Sequence, residues 1–178
     1  MSRTVVLSVT FVCAAFVMST TSALAQGGAQ AVARADVKDA KGAAVGTVQL
    51  TETPAGVLMH GSLGGLPPGA HAFHIHEAGK CDPPDFKTAG GHFNPGGQHH
   101  GFASTQGAHA GDLPNLFVPE SGKVEFDALA KGVTLAPGPT SLFGPSGTAL
   151  VIHASADDYK TDPAGNAGAR VACGVIVK

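Results

Sequence analysis

Residues 73–81 read FHIHEAGKC. His74 and His76 lie two apart, so on a β-strand both imidazoles point to one face and Ile75 points to the other. The chain holds nine histidines, and seven of them fall between residues 71 and 109. A lone histidine is ordinarily structural, but imidazole is also the commonest metal-ligating side chain. Several at ordered spacings in a glycine-rich stretch point to metal chemistry. After His74 and His76 come His92 in GGHFNP, the adjacent His99 and His100, His109 with Asp112 in HAGD, and much later His153 in VIH. Zinc takes histidine together with aspartate in a closed tetrahedral site. Four imidazoles without carboxylate or thiolate suit Cu(II). The residues therefore divide into one nitrogen-only set and one His/Asp set. Spacing alone does not fix the division, and by composition His99 and His100 are equal candidates.

The elements that must position these groups read as β-strands. Short apolar or alternating runs cover Ala43–Leu50, Val57–Leu63, Ala70–His76, Lys123–Leu129, Thr148–His153 and Arg170–Val177. Breakers such as Gly64-Gly65, Pro67-Pro68-Gly69 and Pro137-Gly138-Pro139 separate them, and nothing reads as a long amphipathic helix. That pattern predicts an all-β sandwich or barrel. Residues 77–118 and 154–169 do not fit as strands. Loops of this length are functional or disordered more often than not, and a metal or a disulfide could order them.

The 178 residues suit one domain. Arg3, an apolar run from Val5 to Met18, and Ala23-Leu24-Ala25 give residues 1–25 the pattern of a cleaved export signal. The run is shorter than the roughly 20 residues of a membrane span, so no stable membrane association is expected. Residues 26–35, QGGAQAVARA, read as a flexible lead-in, which leaves the domain as 36–178. Cleavage removes Cys13 and leaves Cys81 and Cys173, a disulfide candidate in an exported protein, with two buried thiols as the alternative. Of the 11 basic residues Arg3 is also lost, so 10 remain against 13 acidic ones, a formal charge of −3. There is no basic run, so a nucleic-acid partner is not indicated.

The motifs HAFHIH, GGHFNP, HAGDLPN, VIHASADD and GNAGARVACGVI, in this order, closely resemble copper/zinc superoxide dismutases, and the resemblance spans residues 36 to 178. The signal and the interval between Cys81 and His92 look like the exported bacterial branch. The resemblance implies copper held by His74, His76, His92 and His153, and zinc held by His92, His100, His109 and Asp112, with His92 bridging. It selects His100 over His99, because the family's ligand lies eight residues after the bridge and precedes a glycine. It also implies that Asp157 accepts hydrogen bonds from His74 and His100. His71, three positions before His74, faces away from the metal and reads as a supporting residue. Asp158 reads as a solvated turn residue, and His60 and His99 receive no role.

The implied fold is a flattened Greek-key β-barrel of about eight antiparallel strands, with a long metal-binding loop and a second active-site loop. The implied reaction converts two superoxide anions and two protons to O₂ and H₂O₂, with one copper changing oxidation state and one zinc constant. His92 exchanges metal for a proton during turnover, and Arg170 docks the anion. In a net-negative chain the attraction for an anion must be local, and a guanidinium stays charged at any working pH; Lys160 could add to it. A Cys81–Cys173 bridge would pin the metal loop to the strand bearing Arg170. Export implies the periplasm, with secretion as the alternative, and monomer and homodimer both stay open. A noncatalytic copper-binding domain of the same fold typically lacks ligands or the arginine, all present here. A zinc hydrolase leaves the extra ligands and Arg170 without a role.

Overall fold

The computed structural model describes Met1 and residues 32–178. The signal sequence read over residues 1–25 lies, apart from Met1, outside the described residues. Among the described residues nine strands run in chain order: β1 Val32–Asp39, β2 Ala44–Thr53, β3 Gly56–Gly64, β4 Gly69–His71, β5 Phe73–His76, β6 Leu116–Val118, β7 Lys123–Ala130, β8 Ala149–His153 and β9 Arg170–Val177. Seven form one antiparallel sheet in the order β5-β8-β9-β1-β2-β3-β7, and β4 pairs with β6 in a small second sheet. β4 leads into β5 through Ala72 alone, whose N–H and C=O bond Ser155 O and His153 N at 2.8 and 2.9 Å. Counted as one interrupted strand, β4 and β5 bring the total to the eight expected.

Alternation builds the core. Ala33, Ala35 and Val37 of β1, Val48 and Leu50 of β2, and Val57, Met59, Gly61 and Leu63 of β3 turn inward, while the residues between them face out. Strand β1 corrects the expected lead-in over residues 26–35, because Val32–Ala35 already pair with β2, and Arg34 and Ala35 also pair with β9. Its inward positions include two alanines, whose small side chains give alternation little hydropathic contrast. Strand β6 is likewise a structured piece of the stretch 77–118. Glu52 on β2 accepts hydrogen bonds from Thr134 Oγ1 at 3.0 Å and from the Leu135 N–H, which ties the segment after β7 to β2.

The β5 edge of the seven-stranded sheet positions the histidines. All four residues of β5 are buried. Phe73 and Ile75 join the main core, and the alternate side chains, His74 and His76, leave it. Strand β8 has the same division, with Leu150 and Ile152 in the main core and Ala149 and Val151 in a smaller cluster with Phe86, Ala89 and Cys173.

Candidate metal centre

The long loop is laid along β5 by backbone hydrogen bonds. Phe93 N–H donates to Ile75 O at 2.8 Å, Ile75 N–H to Gly111 O at 2.9 Å, and Gly111 N–H to Phe93 O at 2.8 Å. These bonds set His92 opposite His76 and Asp112 opposite His74. Gly111 is needed for the approach, since a Cβ there would lie 2.3 Å from Ile75 O. His153 ends β8 and pairs directly across the ladder with Arg170, the first residue of β9.

The first donor set is His74, His76, His92 and His153, one ligand atom from each within 4.8 Å of the others. His74 Nδ1 and the Nε2 atoms of His76, His92 and His153 are buried and have no hydrogen-bond partner. Buried polar atoms left unpaired are costly, and four converging on one point are donors awaiting an acceptor of lone pairs. The other nitrogens fix the tautomers. His74 Nε2–H donates to Asp157 Oδ2 at 2.8 Å, His76 Nδ1–H to Gly90 O at 3.0 Å, and His153 Nδ1–H to Gly168 O at 3.3 Å. Each ring thereby turns its lone pair inward. Burial keeps these rings neutral: it pulls His76 down to about 2 and His153 to about 3, and lowers His74 as well.

The second set is His92, His100, His109 and Asp112. Asp112 Oδ1 lies 2.9 Å from His92 Nδ1, 3.1 Å from His100 Nδ1 and 3.3 Å from His109 Nδ1, and the His92 and His109 Nδ1 atoms are 3.3 Å apart. A tetrahedron with metal–ligand bonds of about 2.0–2.1 Å has edges of roughly 3.3 Å, so the spacing fits zinc. The other carboxylate oxygen is tethered by the N–H groups of Gly101 at 2.9 Å and His109 at 3.0 Å. His92 belongs to both sets, Nδ1 in one and Nε2 in the other.

Asp157 spans the two. It is buried, and its Oδ1 accepts from His100 Nε2–H at 2.9 Å while Oδ2 accepts from His74. Burial alone would raise both Asp112 and Asp157, but the imidazoles hold each carboxyl well below the usual range. Burial likewise disfavours the charged form of His100, yet Asp112 and Asp157 outweigh it and raise the ring to about 9. Asn115 holds Asp157 from behind, accepting from its N–H at 2.8 Å and donating to its C=O at 3.0 Å. Gly165, at φ 63°, leaves the room: a Cβ there would fall 1.8 Å from Asp157 Oδ1.

Arg170 is half-buried beside the first set. Nη1–H donates to Phe86 O at 2.7 Å and Nη2–H to Gly90 O at 2.6 Å. Both carbonyls belong to the loop that Cys81 joins to Cys173 by a disulfide, with Cα atoms 5.7 Å apart. His71 stands apart from both sets, its Nδ1 and Nε2 each 2.8 Å from the carbonyl oxygens of His153 and Pro67. His99 is exposed, and so is His60, 2.8 Å from Asp127. Lys160 is exposed on the second loop. Asp158 is exposed too, but it organises that loop by accepting hydrogen bonds from Lys160, Thr161 and Asn166. The Gly90 carbonyl, Asn115 and Gly165 carry no signal in side-chain spacing. Only their placement against His76, Arg170 and Asp157 gives them a part in the site.

Comparison with known proteins points the same way. The family model described as copper/zinc superoxide dismutase matches residues 44–176. Superoxide dismutase (Cu-Zn) 1 of Aquifex aeolicus is 54% identical over 144 residues, covering 80% of this chain and 85% of that protein. Its counterpart in Caulobacter vibrioides is 45% identical over 147 residues, covering 81% and 84%. Among solved structures, a double mutant of a SOD-like protein from Bacillus subtilis superposes with a TM-score of 0.79 at 42% identity, covering 82% of this chain and 97% of that one. With two adjoining donor sets on an antiparallel barrel and a family match across the strands that build them, the chain belongs to the copper/zinc superoxide dismutase family.

Proposed function

We propose that this protein is a superoxide dismutase that holds copper on His74, His76, His92 and His153 and zinc on His92, His100, His109 and Asp112. The observation that carries the reading is the group of four buried, unpartnered ring nitrogens beside Arg170. Bound copper supplies the one-electron oxidation and reduction of superoxide, and bound zinc supplies a redox-inert positive charge behind His92.

The chain's own residues do the rest. Arg170 commits two N–H groups to Phe86 O and Gly90 O. A guanidinium has five, so N–H groups and the full charge remain for a small anion. His92 is the proton carrier: its Nε2 faces the first set and can hold a proton there and pass it to the departing product. Asp157 keeps His74 and His100 in fixed tautomers throughout. Overall, two superoxide anions and two protons give O₂ and H₂O₂.

Metal analysis with a superoxide assay tests this. About one copper and one zinc per chain with rapid superoxide removal is expected; a fully copper-loaded protein that leaves superoxide untouched overturns the enzyme reading. Periplasmic residence is part of the proposal, supported by the export-signal pattern and the disulfide, and cell fractionation checks it. Sedimentation velocity distinguishes a monomer from a homodimer.

A further inference from the structure

Six histidines make up the two donor sets, and a ligating ring is held in place by whatever its other nitrogen meets. Asp157 holds His74 and His100, Gly90 O holds His76, and Gly168 O holds His153. His92 turns one nitrogen toward each set. His109 differs: its Nε2 makes no hydrogen bond with the described residues. The ring is largely buried, yet it borders a surface cavity of about 600 Å³ together with Phe102, Pro114 and Leu129.

The carboxylate that faces this nitrogen is Asp162, with Oδ1 4.0 Å from His109 Nε2. The same oxygen accepts the His100 N–H at 2.7 Å and lies 3.9 Å from exposed His99 Nδ1. Asp162 is therefore anchored to one zinc histidine and aimed at another. We propose that Asp162 is a positioning residue for His109, its carboxylate restraining the outer nitrogen when zinc occupies the His92–His100–His109–Asp112 set. The side chain is half-exposed, and a shift of about 1 Å brings the pair to hydrogen-bond length. Zinc on Nδ1 polarises the ring and strengthens the pull of Nε2–H on a carboxylate. The loop 154–169 then grips two zinc histidines from outside, His100 through Asp157 and His109 through Asp162. This inference rests on the zinc-site reading above.

The competing role is structural, with Asp162 serving only to accept the His100 N–H. Asp162→Asn separates the two, since the amide keeps an acceptor oxygen and loses the charge. The zinc-loaded protein is challenged with a colorimetric chelator, the cobalt(II)-substituted protein is examined by visible absorption, and the metal-free forms are melted. Asp162→Asn is expected to release zinc about ten-fold faster than wild type, the low end of the roughly 10–100-fold that losing an outer carboxylate costs. Its cobalt bands should shift, its metal-free Tm should match wild type, and Asp162→Glu should recover part of the retention. His109→Ala serves as the reference. If it sheds zinc quickly while Asp162→Asn matches wild type in release and cobalt spectrum, the inference falls and the zinc site stands. A lower metal-free Tm with unchanged cobalt bands also overturns it, in favour of the structural role. If His109→Ala keeps zinc as wild type does, the zinc-site reading falls and this inference with it.

Discussion

His76 and Arg170 donate to the same atom: the carbonyl oxygen of Gly90 accepts His76 Nδ1–H at 3.0 Å and Arg170 Nη2–H at 2.6 Å. A histidine of the nitrogen-only set and the anion-docking candidate thus share one fixed point on the disulfide loop. One backbone carbonyl therefore fixes the spacing between the Arg170 guanidinium and the His76 ring.

Arg170→Ile removes the charge and leaves both donor sets intact. Both metals should remain, while kcat/KM for superoxide falls roughly 10–100-fold, the value of a charge-assisted hydrogen bond to an anion. The residual rate should also respond less to added salt, because exposed-charge attraction is what salt screens. Unchanged kinetics in a metal-replete variant would remove Arg170 from the docking role.

Asp157→Asn keeps the size of the side chain and disturbs both tautomers it fixes. Zinc affinity should drop about 10–100-fold in a chelator competition. Gly165→Ala should reproduce the loss without replacing any polar group, because its Cβ would fall 1.8 Å from Asp157 Oδ1 and 2.7 Å from His100 Nε2. Wild-type zinc affinity in both variants would show that the bridge does not hold the site.

The metal-free protein should be most stable near pH 6.5. His100 is raised from 6.5 to about 9, so its contribution is complete below about pH 6.5 and is lost as pH rises toward 9. His76 and His153 are lowered to about 2 and about 3, so below about pH 6.5 the unfolded chain binds protons that the folded one refuses, and stability falls as pH falls. Thermal melts of the metal-free protein across pH 4–10 check both limbs, and a curve that keeps rising to pH 9 would contradict the charged state given to His100.

Replacing Cys81 and Cys173 together by serine opens a loop with a sequence separation of 92 residues. In the chain-entropy account this costs on the order of 4 kcal/mol, or about 10 °C in Tm. The same variant should weaken superoxide turnover more than zinc binding. The loop it frees carries Phe86 O and Gly90 O, whereas the His/Asp set is held by Asp112 and Asp157. Calorimetry and steady-state kinetics on one preparation separate the two effects.

How much of this is legible in the sequence depends on whether a residue acts through its type or its location. His74, His76, His92, His109, Asp112 and His153 are visible because imidazole and carboxylate at those spacings have few other uses. His99 and His100 are chemically identical neighbours that residue type does not separate; the family resemblance selects His100, and the fold buries it between Asp112 and Asp157 and leaves His99 in solvent. Strand β1 hides because Ala33 and Ala35 fill inward positions with little hydrophobic contrast. The Gly90 carbonyl, the space at Gly165 and the aim of Asp162 are properties of backbone path, and no side-chain pattern announces a path.

The two donor sets differ in how far apart their members lie along the chain. The His/Asp set is drawn entirely from residues 92–112, whereas the nitrogen-only set needs residues 74 and 76 together with 153, brought into reach by the pairing of β5 with β8. Closing a short loop costs less entropy than closing a long one. The His/Asp ligands themselves close only short loops, whereas the nitrogen-only set is complete only where β5 and β8 pair; β5 and Asp157 still hold the short-loop set in place. Loss of the β5–β8 pairing would scatter the nitrogen-only set, while the His/Asp ligands would stay neighbours along the chain.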